Sequence, residues 1–373
     1  MKKITLLLML AILVTGCQAT PTVSDCSEIN NSSSSVDASI ANSSANSSAD
    51  NAAKVFRQSQ LVEGEANYGI TYLWLDDTRI LLCAMNRIDD DYTNTFSVLK
   101  TDTDTNTAIS PSINQYCSLF SSIQTPDGYR ISDFSGNDYM LSAQNILQAN
   151  KLPFKEQNLS SFYDVDTGIT YQFDADAKGI TQITDGVSEL LCKPSLAQKE
   201  YIACMRIAPD KSSLVFAVMQ EFYSSKTMFY EFETKTLRTV PIVLGLPGYF
   251  WLNNMPIALS FDDNNDGTYA FLLNGAQPMQ KIKLCDKDES IDFSSGTYQY
   301  GAAANAFPFV LRTKTQNKLM LLNLENSIFD IKEVLQPTNQ ITQPKLSKDG
   351  KQIAYFSFDT TQDTPDLVVR SLA

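Results

Sequence analysis

Alternating oxygen-bearing side chains form the first candidate site in this chain of 373 residues. Asp262, Asn264 and Asp266 precede Gly267, as at the start of a calcium-binding loop, where oxygen ligands alternate and glycine makes the sharp turn. The match then stops, because Leu273 stands at the twelfth position, where such a loop has a bidentate glutamate. The segment therefore predicts either a calcium site or a plain hairpin turn. The sequence implies no other cofactor.

Carboxylates in two further polar loops form a second candidate site. They are Asp89, Asp90, Asp91, Asp359 and Asp363. If these loops and the calcium-like loop each join the second and third strands of a repeated unit, all of them share one rim of the fold. Such a rim would bind a divalent cation or a basic surface of a partner protein. The alternative is that these residues are solvated loop charges of an acidic protein.

Composition excludes several classes of chemistry. The chain has no histidine, so a Ser-His-Asp triad, a Cys-His dyad and a histidine-bound zinc are ruled out. Its 29 basic and 42 acidic side chains give a formal net charge of -13, which argues against a nucleic-acid partner. Glycoside hydrolysis needs only two carboxylates, so a carboxylate-dependent glycan hydrolase or lyase stays open.

Two of the seven cysteines are candidates for a disulfide. Cys192 and Cys204 lie twelve residues apart, on either side of an expected boundary between repeated units, and disulfides persist outside the cytoplasm. The alternative is that both are small buried hydrophobic side chains. The sequence leaves the two possibilities open.

The first seventeen residues resemble a lipoprotein signal. A basic start precedes an apolar run over residues 4–14, which is about half of the ~20 residues that a membrane-spanning helix needs. Val14-Thr15-Gly16-Cys17 then resembles the lipobox of bacterial lipoproteins. The resemblance implies that residues 1–16 are cleaved as a signal peptide and that Cys17 carries a lipid. That lipid would hold the chain on the outer side of the cytoplasmic membrane or in the outer membrane.

The mature chain divides at about residue 52. Residues 17–52 are rich in Ser and Asn and cannot bury a core, so they predict a flexible linker behind the lipidated cysteine. The globular domain is expected over residues 53–373, where the apolar residues are concentrated.

Degenerate repeats organise this domain. A segment that begins at Trp74 recurs at Trp251, 177 residues on, and an Asp-centred turn at Asp210 recurs at Asp349, 139 residues on. Each unit predicts four short antiparallel strands joined by Asp, Asn and Gly turns, and four strands per roughly 40–50 residues indicate an all-β fold, the β-propeller. Six exit turns predict six blades, with seven as the alternative because two intervals are long enough to hide strands. These turns lie near Asp102, Asp166, Glu233, Asp286, Glu325 and Ser371.

The last unit carries the most specific form of the repeat. Residues 344–355 fit Pro-x-Leu-Ser-x-Asp-Gly-Lys-x-Ile-Ala-Tyr, which resembles the repeat of TolB-like and WD40-like (PD40-type) propellers. Propellers of the TolB kind are protein-interaction platforms, so the resemblance implies a protein partner in the cell envelope. The chain stops after the third strand of this unit, which would leave an open edge. We therefore expect Lys54 to Leu61 to supply the outer strand and close the ring.

These observations predict a lipoprotein that is anchored to a membrane through Cys17. Its propeller is expected to be a protein-binding or scaffolding module of the cell envelope. The alternative function is that of an extracellular glycan hydrolase or lyase built on the same fold, and of the two the enzyme is the less favoured.

Overall fold

Short antiparallel strands make up almost all of the described structure. The computed structural model describes residues 53–61, 69–89, 91–114, 119, 123–125, 128–132, 138–142, 149–152, 161–164, 167–220, 223–240, 248–261, 266–273, 280–292, 306–335, 339–358 and 365–372. These residues belong to one unit, Asn51–Ala373. Cys17, with the predicted signal peptide and linker, lies outside the described residues.

Helix is confined to one turn in this part of the chain. The helix α1 (Gln58–Leu61) follows the first strand. No described helix is long and apolar enough to cross a membrane.

The strands are three to ten residues long. In chain order they are β1 (Lys54–Phe56), β2 (Gly69–Trp74), β3 (Arg79–Ile88), β4 (Asp91–Lys100), β5 (Thr105–Ile113), β6 (Ile123–Thr125), β7 (Gly128–Ser132), β8 (Asp138–Ser142), β9 (Ala149–Leu152), β10 (Ser161–Asp164), β11 (Ile169–Asp174), β12 (Gly179–Thr184), β13 (Val187–Cys192), β14 (Glu200–Ile207), β15 (Ser213–Gln220), β16 (Tyr223–Glu231), β17 (Thr236–Val240), β18 (Gly248–Leu252), β19 (Met255–Phe261), β20 (Gly267–Leu272), β21 (Lys281–Asp286), β22 (Ser290–Asp292), β23 (Ala306–Arg312), β24 (Asn317–Glu325), β25 (Ile328–Leu335), β26 (Gln340–Leu346), β27 (Gln352–Phe358) and β28 (Asp366–Ser371).

Across the described residues these strands form seven four-stranded antiparallel sheets. Sheets 1 to 6 are β2–β5, β6–β9, β10–β13, β14–β17, β18–β21 and β22–β25, each with its strands paired in chain order. Sheet 7 has the order β26, β27, β28 and β1. The prediction of four-stranded antiparallel units is therefore confirmed. The six-unit count differs from the seven sheets seen here, which match the number that the sequence left as the alternative.

The N-terminal strand β1 completes sheet 7, as predicted. It pairs antiparallel with β28, with Lys54 opposite Val369 and Phe56 opposite Leu367. The helix α1 then leads to sheet 1, where the Leu61 carbonyl accepts hydrogen bonds from Ser97 Oγ at 3.2 Å and from Asn106 Nδ2 at 2.7 Å. Residues 54–61, which we call the closing segment, thus fasten the last sheet to the first.

The hydrophobic core lies between neighbouring sheets. The closing segment contributes Phe56 and Leu61 to a buried cluster between sheets 7 and 1. Comparable clusters join sheets 1 and 2, 3 and 4, 4 and 5, 5 and 6, and 6 and 7. Between sheets 5 and 6, for example, the rings of Phe250 and Phe307 stack with centroids 4.1 Å apart. The second strands are covered on both faces, and in β15 every residue except Gln220 is buried.

The sheets present two sets of connections. The proximal face carries the connections between first and second strands and between third and outer strands, whereas the distal face carries those between second and third strands. Proximal connections of neighbouring sheets contact each other. Lys211 Nζ of sheet 4 lies 2.7 Å from Asp164 Oδ1 of sheet 3, and the Asp349 N–H of sheet 7 donates to Asp77 Oδ1 of sheet 1 at 2.7 Å.

Candidate functional site

The hairpin between β3 and β4 carries the described part of the predicted acidic rim. Its two-residue turn holds Asp89 in the left-handed region, with φ of 55°, and β4 begins at Asp91. Both carboxylates are exposed, and neither pairs with any cation that the structure describes. Arg87 Nε donates to the Asp89 carbonyl at 2.8 Å, which orders the turn. The hairpin therefore presents two exposed carboxylates on the distal face, with the Arg87 guanidinium beside the turn.

For the other predicted rim residues, the structure describes the flanking strands but not the residues themselves. The hairpins β3–β4 and β27–β28 are both second-to-third connections, so the expected shared face is consistent with the strand order. Asp90, Asp359 and Asp363 themselves lie outside the described residues. Of the five rim carboxylates, the structure brings together Asp89 and Asp91 alone.

Asp266, the described member of the calcium-like set, already has a cation. Its Oδ1 accepts from the Tyr269 hydroxyl at 2.9 Å, and its Oδ2 lies 3.3 Å from Lys283 Nζ. The carboxylate of Asp286, 2.6 Å from the same amine, and then that of Asp266 raise the pKa of Lys283. Asp266 is therefore paired with a lysine side chain in this structure.

The two other residues of that set, Asp262 and Asn264, lie outside the described residues. Within the described ranges, no three Asp, Glu, His or Cys side chains are grouped closely enough to hold a metal ion.

The two cysteines considered for a disulfide are not paired with each other in the structure. Cys192 and Cys204 are both free thiols. Cys192 is buried between sheets 3 and 4, and burial raises the pKa of its thiol to about 12. Cys204 packs instead against the cluster between sheets 4 and 5. It stands at a bulge of β14 with φ of 55°.

A polar cluster between sheets 7 and 1 was missed by sequence reasoning. Lys345 Nζ donates to the Tyr72 carbonyl and lies 4.9 Å from the centroid of the Tyr72 ring. The Tyr72 hydroxyl lies 2.5 Å from the Gln343 carbonyl and 2.6 Å from the Ala354 carbonyl, to which it donates. Trp74 Nε1 donates to the Lys345 carbonyl at 3.1 Å. Side chains of sheet 1 therefore donate hydrogen bonds to backbone carbonyls of sheet 7, and the Lys345 side chain of sheet 7 donates to a backbone carbonyl of sheet 1.

Burial sets the electrostatics of this cluster. Lys345 is 3% exposed, and the loss of water lowers the pKa of its amine to about 7. Burial also raises the pKa of the Tyr72 hydroxyl, and the Asp292 carboxylate adds to the rise. Asp292 is itself paired with Arg312, Oδ2 to Nη2, at 3.0 Å. Because the amine is enclosed, it serves to join the two sheets rather than to meet a substrate from solution.

The two tryptophans, Trp74 and Trp251, pack between sheets. Trp74 is buried in the cluster between sheets 7 and 1, and Trp251 packs against the cluster between sheets 4 and 5.

Seven consecutive four-stranded antiparallel sheets among the described residues, with the N-terminal strand pairing in the last of them, define the chain as a β-propeller protein. No protein-family description and no curated protein matches its sequence.

Solved structures of several propellers are similar to it. Acylaminoacyl peptidase from Pyrococcus horikoshii is 11% identical, with a TM-score of 0.50 over 78% of this chain and 49% of that one. The β-propeller domain of the Trilobed protease from Pyrococcus furiosus is 10% identical, with a TM-score of 0.49 over 79% of this chain and 90% of that one. TolB from Acinetobacter baumannii is 11% identical, with a TM-score of 0.35 over 79% of this chain and 80% of that one.

These likenesses concern the fold. The chain spans about half the length of the puromycin hydrolase chain, which it also resembles, at 12% identity, a TM-score of 0.47 and 76% coverage of this chain. At such identities the shared propeller carries no activity from one protein to the other.

Proposed function

We propose that this protein is a membrane-anchored extracytoplasmic lipoprotein whose propeller is a protein-binding or scaffolding module of the cell envelope. The observation that carries the proposal is the lipobox-like Val14-Thr15-Gly16-Cys17, followed by the Ser- and Asn-rich residues 17–52. A lipid on Cys17 would hold the chain on the outer side of the cytoplasmic membrane or in the outer membrane. The linker would let the domain reach partners at the surface.

The distal face supports a basic protein as the partner. Asp89 and Asp91 are exposed there without a described counter-ion, and a net charge of -13 favours encounter with a positively charged surface. The proposed binding surface also includes Asp90, Asp359 and Asp363, which the sequence assigns to second-to-third connections.

Two well-enclosed carboxylates, Asp164 and Asp292, do not fit the catalytic pair of a glycan hydrolase or lyase. Asp164 is buried and accepts from Lys211 Nζ at 2.7 Å and from the Thr167 hydroxyl at 2.6 Å. Asp292 is held by Arg312. Carboxylates bound in this way are positioned for structure rather than for protonating a glycosidic bond.

Cross-linking in the cells that make the protein tests the proposal. The full chain and Cys17→Ser are expressed at equal levels, cross-linked, and recovered under denaturing conditions for mass spectrometry. We expect an acylated mature chain that captures the same one or two envelope proteins in repeated experiments, and we expect Cys17→Ser to lose both the acyl mass and the capture. Equal capture by the two chains, or capture of background proteins alone, would contradict the proposal.

A further inference from the structure

The outer strand of sheet 3 lacks the residues that protect the other outer strands from further pairing. An outer strand presents unpaired N–H and C=O groups along one edge, and proteins protect such edges with charged side chains, Lys above all, and with Pro. Each of the other six outer strands that the structure describes contains Lys, Arg or Pro. These are Lys54 in β1, Pro111 in β5, Lys151 in β9, Arg238 in β17, Lys281 and Lys283 in β21, and Lys332 in β25. In contrast, β13 contains none of the three, and Glu189 is its one charged residue.

The first four residues of β13 are also open to solvent. Residues 187–190 are all exposed, and no other outer strand with described side-chain burial has four exposed residues in a row. Two of the four large hydrophobic side chains that are exposed in the described ranges lie here, Val187 at 71% and Leu190 at 47%. Sheet 3 ends at β13, which pairs with β12 on its other side. The free edge of β13 therefore offers both backbone groups and apolar side chains.

The backbone of this part of β13 is regular. The two-residue turn before it has φ of 51° and 79°, and residues 181–184 of β12 then pair with residues 187–190 without a bulge. The register shifts only beyond Leu190. In a regular antiparallel ladder every second residue of β13 directs its N–H and C=O away from β12. Those groups are the ones that an added strand would hydrogen-bond.

We propose that β13 binds an extended segment of a partner protein, which joins sheet 3 as a fifth strand. Side chains alternate between the faces of a strand, so Val187 and Glu189 share one face, and Ser188 and Leu190 share the other. The segment that fits carries apolar residues beside Val187 and Leu190. It carries Lys or Arg beside Glu189, whose carboxylate is exposed and pairs with no cation that the structure describes.

A second copy of the chain fits this edge less well than such a segment. Two β13 strands paired about Glu189 would set two carboxylates opposite each other, and like charges in that position are destabilising. The proposal goes beyond the proposed function, because the edge of sheet 3 is a different surface from the β3–β4 hairpin.

Photo-cross-linking in the cells that make the protein tests the added strand. One full-length chain carries an aliphatic diazirine side chain at Ser188 and another carries it at Leu190, and mass spectrometry locates the residues that each captures. Neighbours on one face of β13 lie beside residues that are two apart in an added strand. We therefore expect both positions to capture the same partner segment, at residues two apart. The matched control is Ile328, which is 68% exposed in an outer strand that contains Lys332, and there we expect background proteins alone.

A pair of lysine variants tests whether the contact is strand pairing at this edge. Leu190→Lys gives β13 the protection that the other outer strands have, so it should lower the capture from position 188 by ~5-fold or more, whereas Ile328→Lys should leave it unchanged. Both residues are exposed, so both variants should keep the fold, which urea unfolding checks.

Three results would overturn the proposal. They are captured residues that share no register, capture that Leu190→Lys leaves unchanged, and capture of background proteins alone. Capture of β13 from a second copy would overturn it as well, because the occupant would then be this chain itself.

Discussion

The closing segment makes a sharp prediction at Leu61, whose side chain is fully buried between sheets 7 and 1. Leu→Ala substitutions in a core cost about 2–5 kcal/mol, and the loss is larger where the surroundings cannot collapse into the cavity. Here the Leu61 carbonyl is fixed by Ser97 and Asn106 of sheet 1, so the backbone cannot move inward. We therefore expect Leu61→Ala to lower the free energy of unfolding by about 3–4 kcal/mol.

Urea unfolding provides the measurement and Val55→Ala the control. Val55 lies in the same segment but is 53% exposed, so its truncation should cost about 0.5 kcal/mol or less. Trp74 belongs to the cluster that Leu61 enters, and a Trp251→Phe background isolates its fluorescence from that of the second tryptophan. If Leu61→Ala and Val55→Ala lose similar stability, the closing segment does not join the two sheets in the way described.

Three further predictions concern backbone, charge and metal. A Cβ on Gly267 would lie 2.0 Å from the Cys285 carbonyl oxygen, so Gly267→Ala should lower the free energy of unfolding by well over ~2 kcal/mol. At Gly186 a Cβ would meet no neighbour, but the backbone has φ of 79°, so Gly186→Ala should lower it by ~1 kcal/mol. Burial lowers the pKa of Lys345 to about 7, below its value in the unfolded chain, so protonation of this amine favours unfolding. The free energy of unfolding, measured by urea titration and compared with that of Lys345→Met, should therefore rise by on the order of 2 kcal/mol as the pH increases from 7 toward 9. Calcium at about 1 mM should leave the melting temperature within about 1 °C, because Lys283 already neutralises Asp266.

The turn chemistry could be predicted because it is local. Asp76, Asp210 and Asp349 each accept, through Oδ1, a hydrogen bond from the backbone N–H two residues on, at 2.9, 3.0 and 3.0 Å. These are the self-capping turns that the repeated Asp motifs indicated. The closing strand was predictable for a similar reason, since a last unit with three strands leaves an edge to be filled.

The number of sheets could not be predicted from the turn motifs. Similar Asp-containing turns join the first strand to the second in some sheets and the third strand to the outer strand in others. The motif around Asp166 predicts an exit turn, but Asp164 ends β10, which is the first strand of sheet 3. Sheet 2, between Ile123 and Leu152, has short strands and none of the recurring motifs. Its presence explains the long interval after Asp102.

The contacts between sheets were beyond sequence reasoning for a different reason. Tyr72 and Gln343, which meet between sheets 7 and 1, are 271 residues apart in the chain. Nothing local to either residue specifies the other. Sequence did place the Asp89–Asp91 hairpin on a second-to-third connection, because that assignment depends only on the order of strands along the chain.

Matched charge variants test the central claim, that the propeller binds an envelope protein through its distal face. Asp89→Asn with Asp91→Asn removes two charges there, and Asp185→Asn with Glu233→Gln removes two exposed charges from proximal connections. Asparagine tolerates the left-handed backbone at positions 89 and 185. The measurement is the amount of partner cross-linked in cells per acylated chain. The account predicts a several-fold loss for the distal pair alone, and equal capture by both pairs and the unchanged chain would contradict it.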